Sequence, residues 1–343
     1  MIRAVIPAMK ILSCSGRASR VLRGMLSPLP ARQLVRHAGA VADLGQCVSV
    51  MTFNVLAQCY TRSEFFPSVS PKAALKWKNR APKIIEEIVQ YSPDVVCLQE
   101  VDAFDDFFVP QLALHDYDGV WQKKSERKQD GVAIFWKTPR FALAARDHIE
   151  FGLKDGVGLV VCLNRDGCGA LGGQPRSLCV ANTHLFWNPK MEYIKLSQAQ
   201  MYLRHAADFA AGRPLVVCGD LNSLPGSDCF NLFTRRQVTH THTPALEDDE
   251  ASGDVVSDAV PVTDTYSHTL ELRAAYDPMP AFTTLTDTFR GTLDHIFLSP
   301  QFTSHAHLDM FAEETILEET SLPSSRYPSD HMACMVLLTA DGL

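Results

Sequence analysis

Side chains that can bind a metal ion or carry a proton recur where apolar, strand-like segments of this sequence end. Because the carboxyl ends of strands usually form the ligand-binding edge of an α/β protein, we expect these side chains to converge. Taken singly, each could equally be a helix cap, a turn residue or a hydrogen-bonded buried histidine. The candidates are Asn54, Glu100, His184, Asp220, Asn222, Asp294, Asp330 and His331.

Taken together, four carboxylates, two histidines and two asparagines from six segments are hard to explain as caps, because clustered like charges need a compensating cation. Oxygen donors without thiolates favour Mg²⁺ over zinc, and Mn²⁺ can substitute for Mg²⁺ at such sites. Mg²⁺ keeps several waters, so one or two carboxylates and a substrate phosphate are enough to hold it. Glu100 suits that role. Such an ion would polarise a phosphoryl oxygen while a neighbouring base aligns an attacking water.

Short β-rich segments alternate with helical ones, which is typical of α/β architecture. We assign residues 47–340 to one catalytic domain and find no internal repeat. The predicted strands are 47–53, 95–99, 131–136, 158–163, 178–183, 215–218, 292–298 and 333–338, and the predicted helices are 73–90, 104–114, 191–211 and 227–233.

The segment 240–262 interrupts this alternation, because it lacks periodicity and contains six acidic residues. That composition predicts a mobile acidic insertion on the surface of the catalytic domain. His240 and His242 lie within it and superficially resemble a metal-binding pair. In a polar surface loop, however, we expect both histidines to be solvated.

The N-terminal segment differs in composition from the rest of the chain. Its first 42 residues contain seven Lys or Arg and no acid before Asp43. This pattern predicts a disordered leader over residues 1–46 of the mitochondrial transit type, which would place the protein in the matrix. The alternative is a basic tail that contacts RNA, in which case the protein would be cytoplasmic.

The charge balance limits the binding partners. The whole chain carries a formal charge of −7 and the leader carries +7, so the remainder carries −14. Because a strong grip on duplex nucleic acid depends on many phosphate contacts by Lys and Arg, we expect a short substrate instead. No apolar run approaches the ~20 residues that a membrane span needs. The ten scattered cysteines, without a C-x-x-C pair, are expected to be buried reduced thiols.

The chain resembles the endonuclease/exonuclease/phosphatase superfamily over about residues 48–339, with the motifs in unbroken order. Within it, the chain is similar to the deadenylase-like branch, which contains nocturnin, Angel and a mitochondrial 2′-phosphodiesterase. The similarity extends to LKWKNR at 75–80, IEEI at 85–88 and PDVVCLQEVD at 93–102. The resemblance implies a four-layer α/β sandwich of the deoxyribonuclease I type, with two mixed β-sheets packed face to face and flanked by helices.

The resemblance also implies roles for the polar positions at the metal site. At the metal site, Glu100 would ligate the principal Mg²⁺ and Asn54 would hold the phosphate or the water. Asp330 would lie beside a second metal position, and the number of ions, one or two, stays open. Asp220 would position or deprotonate the attacking water. His184 would stabilise the negative charge that develops on the phosphoryl group.

The remaining polar positions complete the implied site. Asn222 would hold the phosphate or the water, and Asp294 and His331 would form a hydrogen-bonded pair facing the phosphate. His295 departs from the tyrosine that the branch usually has there. It could alter the pKa values near this pair or simply pack.

Two further residues concern the substrate. Pro189 follows His184 in a run similar to the tryptophan-proline loop of this branch, and Phe289 precedes Asp294. By resemblance, Pro189 and Phe289 would hold the two faces of one adenine, a stacking device worth ~1–3 kcal/mol per base. Alternatively, Pro189 starts the following helix and Phe289 belongs to the core.

The expected activity is therefore Mg²⁺-dependent 3′-to-5′ hydrolysis of an RNA 3′ end, acting on poly(A) or 2′-5′ oligoadenylate and releasing 5′-AMP. One alternative is a metal-dependent phosphatase of a small phosphomonoester such as NADP. Another is a catalytically silent RNA-binding scaffold. Without a leucine-rich repeat array before the catalytic region we expect a stand-alone enzyme, and the oligomeric state stays open.

Overall fold

The larger of two β-sheets carries the segments that contain Asn54, Glu100 and His331. The computed structural model describes residues 3–4, 29, 31–40, 43–125, 127–165, 176–243, 260–318 and 321–340. Within them, the strands of this sheet are β1 (Arg3–Ala4), β2 (Leu34–Arg36), β3 (Val48–Asn54), β4 (Val95–Val101), β5 (Tyr117–Lys123), β6 (Gly131–Lys137), β17 (Phe302–Leu308) and β18 (Cys334–Ala340). Their spatial order is β1-β2-β17-β18-β3-β4-β6-β5, with β3 and β4 parallel.

The smaller sheet faces the larger one and carries the segments that contain His184, Asp220 and Asp294. Its strands are β7 (Phe141–Glu150), β8 (Val157–Arg165), β9 (Ser177–His184), β10 (Leu215–Asp220), β13 (Arg273–Ala274) and β16 (Asp294–Leu298). They follow the order β13-β16-β10-β9-β8-β7, with β9 and β10 parallel. Two short hairpins lie outside both sheets, β11 (Gln237–His242) with β12 (Val262–Ser267) and β14 (Thr284–Leu285) with β15 (Arg290–Gly291).

Helices cover the outer faces of both sheets. They are α1 (Trp77–Tyr91), α2 (Val109–Ala113), α3 (Glu192–Ala210), α4 (Asp228–Arg235) and α5 (Glu313–Leu317). α1 and α2 pack on the larger sheet and α3 and α4 on the smaller one, while a third apolar cluster fills the space between the sheets. The predicted four-layer α/β sandwich is confirmed. None of the helices in the described part of the chain has the length and apolarity to cross a membrane.

Most predicted elements are present. The eight predicted strands occur with ends shifted by no more than two residues. The helix predicted over 73–90 begins with a 3-10 turn, Lys72–Leu75, before α1. The helix predicted over 104–114 is a π-helical turn, Phe104–Phe108, followed by α2 with a proline in its first turn. The alternation missed β7, whose residues are exposed along nearly its whole length and therefore carry no apolar period.

The structure corrects the C-terminal boundary predicted for the leader. β2 pairs antiparallel with β17, and Leu34 is buried. The Arg32 guanidinium forms a buried salt bridge with Glu87 and donates to the Ala333 carbonyl at 2.6 Å. Residues 31–40 thus belong to the folded domain. Composition could not show this, because an arginine with a buried partner reads like any other. Residues 5–28 of the predicted leader lie outside the described residues.

The ends of the predicted acidic insertion are also corrected. His240 and His242 belong to β11, which pairs with β12, so these positions are strand and not loop. His240 Nδ1 lies 2.7 Å from Asp228 Oδ2, and the His242 ring stacks on Tyr193 at a centroid distance of 4.2 Å. Both histidines are partnered and not solvated. Residues 244–259 of this segment lie outside the described residues.

The cysteines follow the expectation where they can be seen. The eight cysteines in the described ranges are all free thiols, and all but Cys59 are buried. Cys14 and Cys168 lie outside those ranges. The thiols in the core act as small apolar side chains.

We predict that Arg32→Met lowers the free energy of unfolding by about 3–5 kcal/mol, because it leaves the buried Glu87 carboxylate without its cation. The side chains of Arg32 and Glu87 are only 1% and 8% exposed. Denaturant titration of the wild-type protein, this variant and a control variant measures the free energies of unfolding. Arg290→Met is the matched control, because its pair with Glu313 is 46% and 32% exposed and should contribute only about 0–1 kcal/mol. Equal losses in the two variants would contradict the anchoring role of Arg32.

Candidate active site

The topology of the two sheets brings the six motifs to one end of the sandwich. β3 and β4 are parallel neighbours, so Asn54 and Glu100 leave the larger sheet at the same end. β9 and β10 are parallel neighbours in the smaller sheet, where His184 lies opposite Asp220. The antiparallel strands β16 and β18 begin at that end and add the last two motifs. The predicted convergence of separate segments is therefore a property of the strand order.

One polar bridge joins the two sheets directly beneath the site. Gln99 Nε2 donates to Asn182 Oδ1 at 2.6 Å, and Asn182 Nδ2 donates to the Leu98 and Ala133 carbonyls at 2.9 and 3.0 Å. Both amides are fully buried. Buried amides are costly unless paired, so this bridge favours one alignment of the two sheets. Gln99 immediately precedes Glu100, so the bridge helps to position the end of the two sheets at which Glu100 lies.

Asn54 organises the carboxylates at the floor of the site. Its Nδ2 donates to Glu100 Oε1 and to Asp220 Oδ2, both at 3.0 Å, and its Oδ1 accepts from Leu56 N–H at 3.0 Å. Glu100 Oε2 accepts from Ala57 N–H at 2.9 Å. Asn54 thus orients two carboxylates, and its Oδ1 keeps a second lone pair beyond the one that Leu56 N–H occupies. Its assignment to the metal site stays a prediction.

The carboxylates fit a cation. Burial, followed by the nearby Asp330 and Asp130 carboxylates, raises the pKa of Glu100 to about 7. Burial is also the main cause that raises the pKa of Asp330. Carboxylates that resist ionisation beside one another are stabilised as anions by a divalent ion. Glu100 and Asp330, with Asp220 adjacent, are the residues that could hold one.

Asp294 and His331 form the predicted pair. His331 Nδ1 lies 2.8 Å from Asp294 Oδ2, which also accepts from Thr283 Oγ1 at 2.6 Å. Although burial lowers the pKa of His331, the Asp294 and Asp220 carboxylates raise it well above its usual value. His331 Nε2 lies 3.7 Å from Asp220 Oδ2. Ligand atoms of Asp220, Asp294 and His331 lie within 4.8 Å of one another, so this group could also hold a metal ion.

His184 is held as a neutral imidazole. Lys124 Nζ lies 3.3 Å from its Nδ1, while Asn222 Nδ2 and Asp220 Oδ2 lie 3.1 and 3.5 Å from its Nε2. Burial and then the Lys124 charge lower the pKa of His184 to about 3. Lys124 Nζ can only donate to Nδ1, while Nε2 has both a donor, Asn222 Nδ2, and a carboxylate oxygen, Asp220 Oδ2, nearby. These contacts hold the His184 ring at the centre of the site.

Lys124 is a functional candidate that sequence reasoning missed. Asp130 is fully buried and pairs with Lys124 at 2.8 Å, and Tyr60 Oη donates to the same carboxylate at 2.8 Å. A cavity of about 560 Å³ opens here, and Lys124, Lys128 and Lys154 all line it. The basic run KKSERK at 123–128, in an otherwise acidic domain, was the available signal.

The cavity gathers most of the predicted polar residues together with aromatic ones. Glu100, His184, Asp220, Asn222, Asp330 and His331 line it, as do Phe65, Phe66, Phe186 and Trp187. Pro189 and Phe289 are exposed and are not part of that lining. Phe289 lies at the β14–β15 hairpin, which reaches the site because Leu285 N–H donates to the Asp330 carbonyl at 3.2 Å. The adenine clamp of Pro189 and Phe289 stays a prediction.

His295, the departure from the family pattern, packs. It is buried, its Nε2 lies 2.9 Å from the Ser223 carbonyl, and its ring meets Phe230 edge-on at 5.0 Å. Burial lowers its pKa, so the ring is neutral. Its visible role is to hold the loop after Asp220.

A buried ion pair holds the backbone at Asn222. Lys195 Nζ donates to the Asn222 carbonyl at 2.9 Å and pairs with Glu192 Oε2 at 2.8 Å. Glu192 Oε1 accepts from Cys229 N–H in the first turn of α4 at 2.8 Å. Asn222 has a φ of 48°, in the left-handed region that asparagine adopts more readily than most residues. The first turn of α3 thus supports the loop that presents Asn222 to His184.

The protein has two facing mixed sheets, and carboxylates, histidines and amides gather at one shared end of them. This arrangement is that of an α/β enzyme. The family model for the endonuclease/exonuclease/phosphatase family matches residues 51–331. The chain belongs to this family. Its members depend on divalent metal ions, which agrees with the cation that Glu100 and Asp330 call for.

Curated relatives cover most of this chain. It is 30% identical to carbon catabolite repressor protein 4 homolog 1 of Arabidopsis thaliana over 94% of its length, and 28% identical to the CCR4-Not complex 3′-5′-exoribonuclease subunit Ccr4 of Candida glabrata over 83%. It is 29% identical to 2′,5′-phosphodiesterase 12 of Mus musculus over 83%. The chain spans 64%, 36% and 50% of these three proteins, respectively.

Solved structures give the same picture. A crystal structure of ANGEL2, a 2′,3′-cyclic phosphatase, in complex with adenosine-2′,3′-vanadate, is similar with a TM-score of 0.74 and 26% identity, over 90% of this chain and 99% of that one. The human nocturnin catalytic domain, with bound sulfate, is similar with a TM-score of 0.63 and 26% identity, over 90% and 98%.

We predict that Lys195→Met lowers kcat on a generic phosphodiester roughly 10- to 100-fold, because the Asn222 loop loses its charged anchor and small displacements of catalytic groups are costly. The variant Lys195→Met/Glu192→Gln removes the unpaired charge but not the loss of positioning. It should therefore recover melting temperature without recovering kcat. Lys137→Met is the control, since that lysine caps the His115 carbonyl away from the site. Joint recovery of melting temperature and kcat in the double variant would show that the pair acts on stability alone.

Proposed function

We propose that this chain is a Mg²⁺-dependent 3′-to-5′ exoribonuclease or phosphodiesterase that acts on poly(A) or 2′-5′ oligoadenylate and releases 5′-AMP. The observation that carries the proposal is the cavity itself. Glu100, Asp220 and Asp330 meet the imidazoles of His184 and His331 there, beside lysines and aromatic side chains. Acids for a divalent ion, cations for phosphates and apolar faces for bases are what a short oligonucleotide requires.

The chemistry follows from the contacts of the chain's own residues. A divalent ion held by Glu100 and Asp330 would polarise the phosphoryl oxygens. Asp220 Oδ2 lies 3.5 Å from His184 Nε2 and 3.7 Å from His331 Nε2, so a phosphoryl group in the cavity that they line would meet all three side chains. Asp220 orients and deprotonates the attacking water. His331, as an imidazolium fixed by Asp294, neutralises charge that develops on the phosphoryl oxygens.

The polarity of the substrate rests on the relatives. One is named a 3′-5′-exoribonuclease and another a 2′,5′-phosphodiesterase, so hydrolysis of a phosphodiester bond is the activity that both names share. The linkage is the finer question. ANGEL2 as a 2′,3′-cyclic phosphatase and the sequence-based alternative of NADP hydrolysis provide the competing substrates. A partner RNA held at its 3′ end is sufficient, and no other partner is proposed.

The adenine preference should depend on Phe289. Purified protein with Mg²⁺ is offered poly(A), poly(U), 2′-5′ oligoadenylate, an RNA with a 2′,3′-cyclic phosphate end and NADP. We expect kcat/KM to be highest on an adenylate chain, and Phe289→Ala to lower it about 5- to 150-fold on poly(A) and less on poly(U). Glu100→Ala is the inactive control. Preference for NADP or the cyclic phosphate would overturn the proposal. An unchanged poly(A)/poly(U) ratio in a stable Phe289 variant would remove the clamp.

We further propose that the acid-free N-terminal segment directs the protein to the mitochondrial matrix. A segment in which Arg alternates with apolar residues is typical of import signals. A reporter fused to residues 1–30 should localise to mitochondria. The same fusion with Arg17, Arg20 and Arg23 changed to Glu should stay in the cytosol. Cytosolic signal from the unaltered fusion would exclude this segment as a targeting signal.

A further inference from the structure

Exposed aromatic side chains cluster near the catalytic cavity. Among the Phe, Trp and Tyr residues that the structure describes, only Phe65, Trp187 and Phe289 are classed as exposed, at 61%, 53% and 37%. Phe65 and Trp187 both line the cavity. Aromatic surface left in water is unfavourable, so such surface at a cavity mouth indicates a ligand that covers it.

Phe65 is presented by an anchored loop. The next side chain, Phe66, is buried with Val69 and Leu75 in a small apolar cluster. Lys72 Nζ donates to the Phe66 carbonyl at 2.7 Å. Ser68 N–H donates to Asp287 Oδ2 at 3.0 Å, which joins this loop to the β14–β15 hairpin. The exposure of Phe65 therefore belongs to a loop fixed on both sides, and its ring is held at the cavity.

Trp187 is presented by a second loop, which follows β9 of the smaller sheet. Phe186 is buried, and its N–H donates to Gln198 Oε1 on α3 at 2.8 Å. The same Gln198 donates through Nε2 to the Leu153 carbonyl at 2.8 Å, in the turn that carries Lys154. The positions of the Trp187 loop and the Lys154 turn are thus linked through one glutamine.

Phosphate-binding groups complete this part of the cavity. Lys124, Lys128 and Lys154 come from the β5–β6 and β7–β8 connections and line the same space as the two aromatic rings. One nucleotide needs one phosphate at the catalytic carboxylates and one base in the clamp proposed for Pro189 and Phe289. Two further aromatic faces with lysines beside them suit the next nucleotide along the chain.

We propose that Phe65 and Trp187 form a second base-binding subsite, which stacks the base of the nucleotide that precedes the scissile phosphate. The inference rests on the proposed function and deepens it, because it makes the base of the nucleotide before the scissile phosphate, and not only the base of the released AMP, part of substrate recognition. Mononucleotides and small phosphomonoesters leave this subsite empty. The enzyme consequently prefers substrates of two or more nucleotides with intact bases.

The test compares two dinucleotides that share a terminal adenosine. One is an adenylyl dinucleotide, and the other has an abasic ribose at the first position. Wild-type protein should cleave the intact substrate about 5- to 150-fold better in kcat/KM, the range expected for one stacked base. Trp187→Ala and Phe65→Ala should each reduce that advantage through KM and leave cleavage of the abasic substrate within about twofold. Trp187→Phe and Phe65→Tyr keep an aromatic face and should restore it.

The control is Leu114→Ala, which truncates another exposed apolar side chain away from the cavity. Cleavage of both dinucleotides at the same rate by the wild-type protein would overturn the subsite. So would equal losses on both substrates in the alanine variants, because they would indicate a structural effect. Hydrolysis of neither dinucleotide by a protein that hydrolyses NADP would instead overturn the proposed function.

Discussion

Repulsion among buried carboxylates is the constraint on which the catalytic end of this protein depends. Glu100 and Asp220 share the amide of Asn54, and each also accepts a backbone N–H, from Ala57 and from Asn222. Even so, burial and neighbouring acids raise the pKa of Glu100 to about 7. Hydrogen bonds fix the acids in place but do not neutralise them. A bound divalent ion removes the remaining repulsion, so the same feature that weakens this end of the fold creates its affinity for the ion.

The loops that carry these acids are held by buried cations on the surrounding segments. Arg80 on α1 donates to the carbonyls of Val55, Leu56 and Pro328, on either side of the site. Lys195 on α3 donates to Asn222, and Arg32 donates to Ala333, two residues after His331. A loop carbonyl without a partner would be costly when buried. The outer layer of helices therefore contributes to catalysis by fixing backbone as well as by covering the sheets.

The cavity separates two kinds of recognition. Its floor is acidic and suits a cation, while its rim holds Lys124, Lys128 and Lys154 together with exposed aromatic rings. The domain as a whole is acidic, so long-range attraction of nucleic acid is weak. For the proposed RNA substrate, recognition would then come from local contacts at the cavity, as suits a chain end or a short oligonucleotide.

The sequence by itself determined eight strands, six of which adjoin the motifs, because apolar runs bounded by Asn, Glu, His or Asp are local signals. It also indicated a site for a hard metal ion, since the residue types at those ends offer oxygen ligands, while the resemblance of the motifs implied the hydrolase chemistry. It could not show that Arg32 belongs to the fold or that Asn54 Oδ1 accepts a hydrogen bond from Leu56 N–H. Lys124 at His184 and Lys195 beneath Asn222 were equally hidden. Each of these depends on a partner distant in the chain. Composition and periodicity report what a residue prefers, but strand order and helix packing decide which partner it meets.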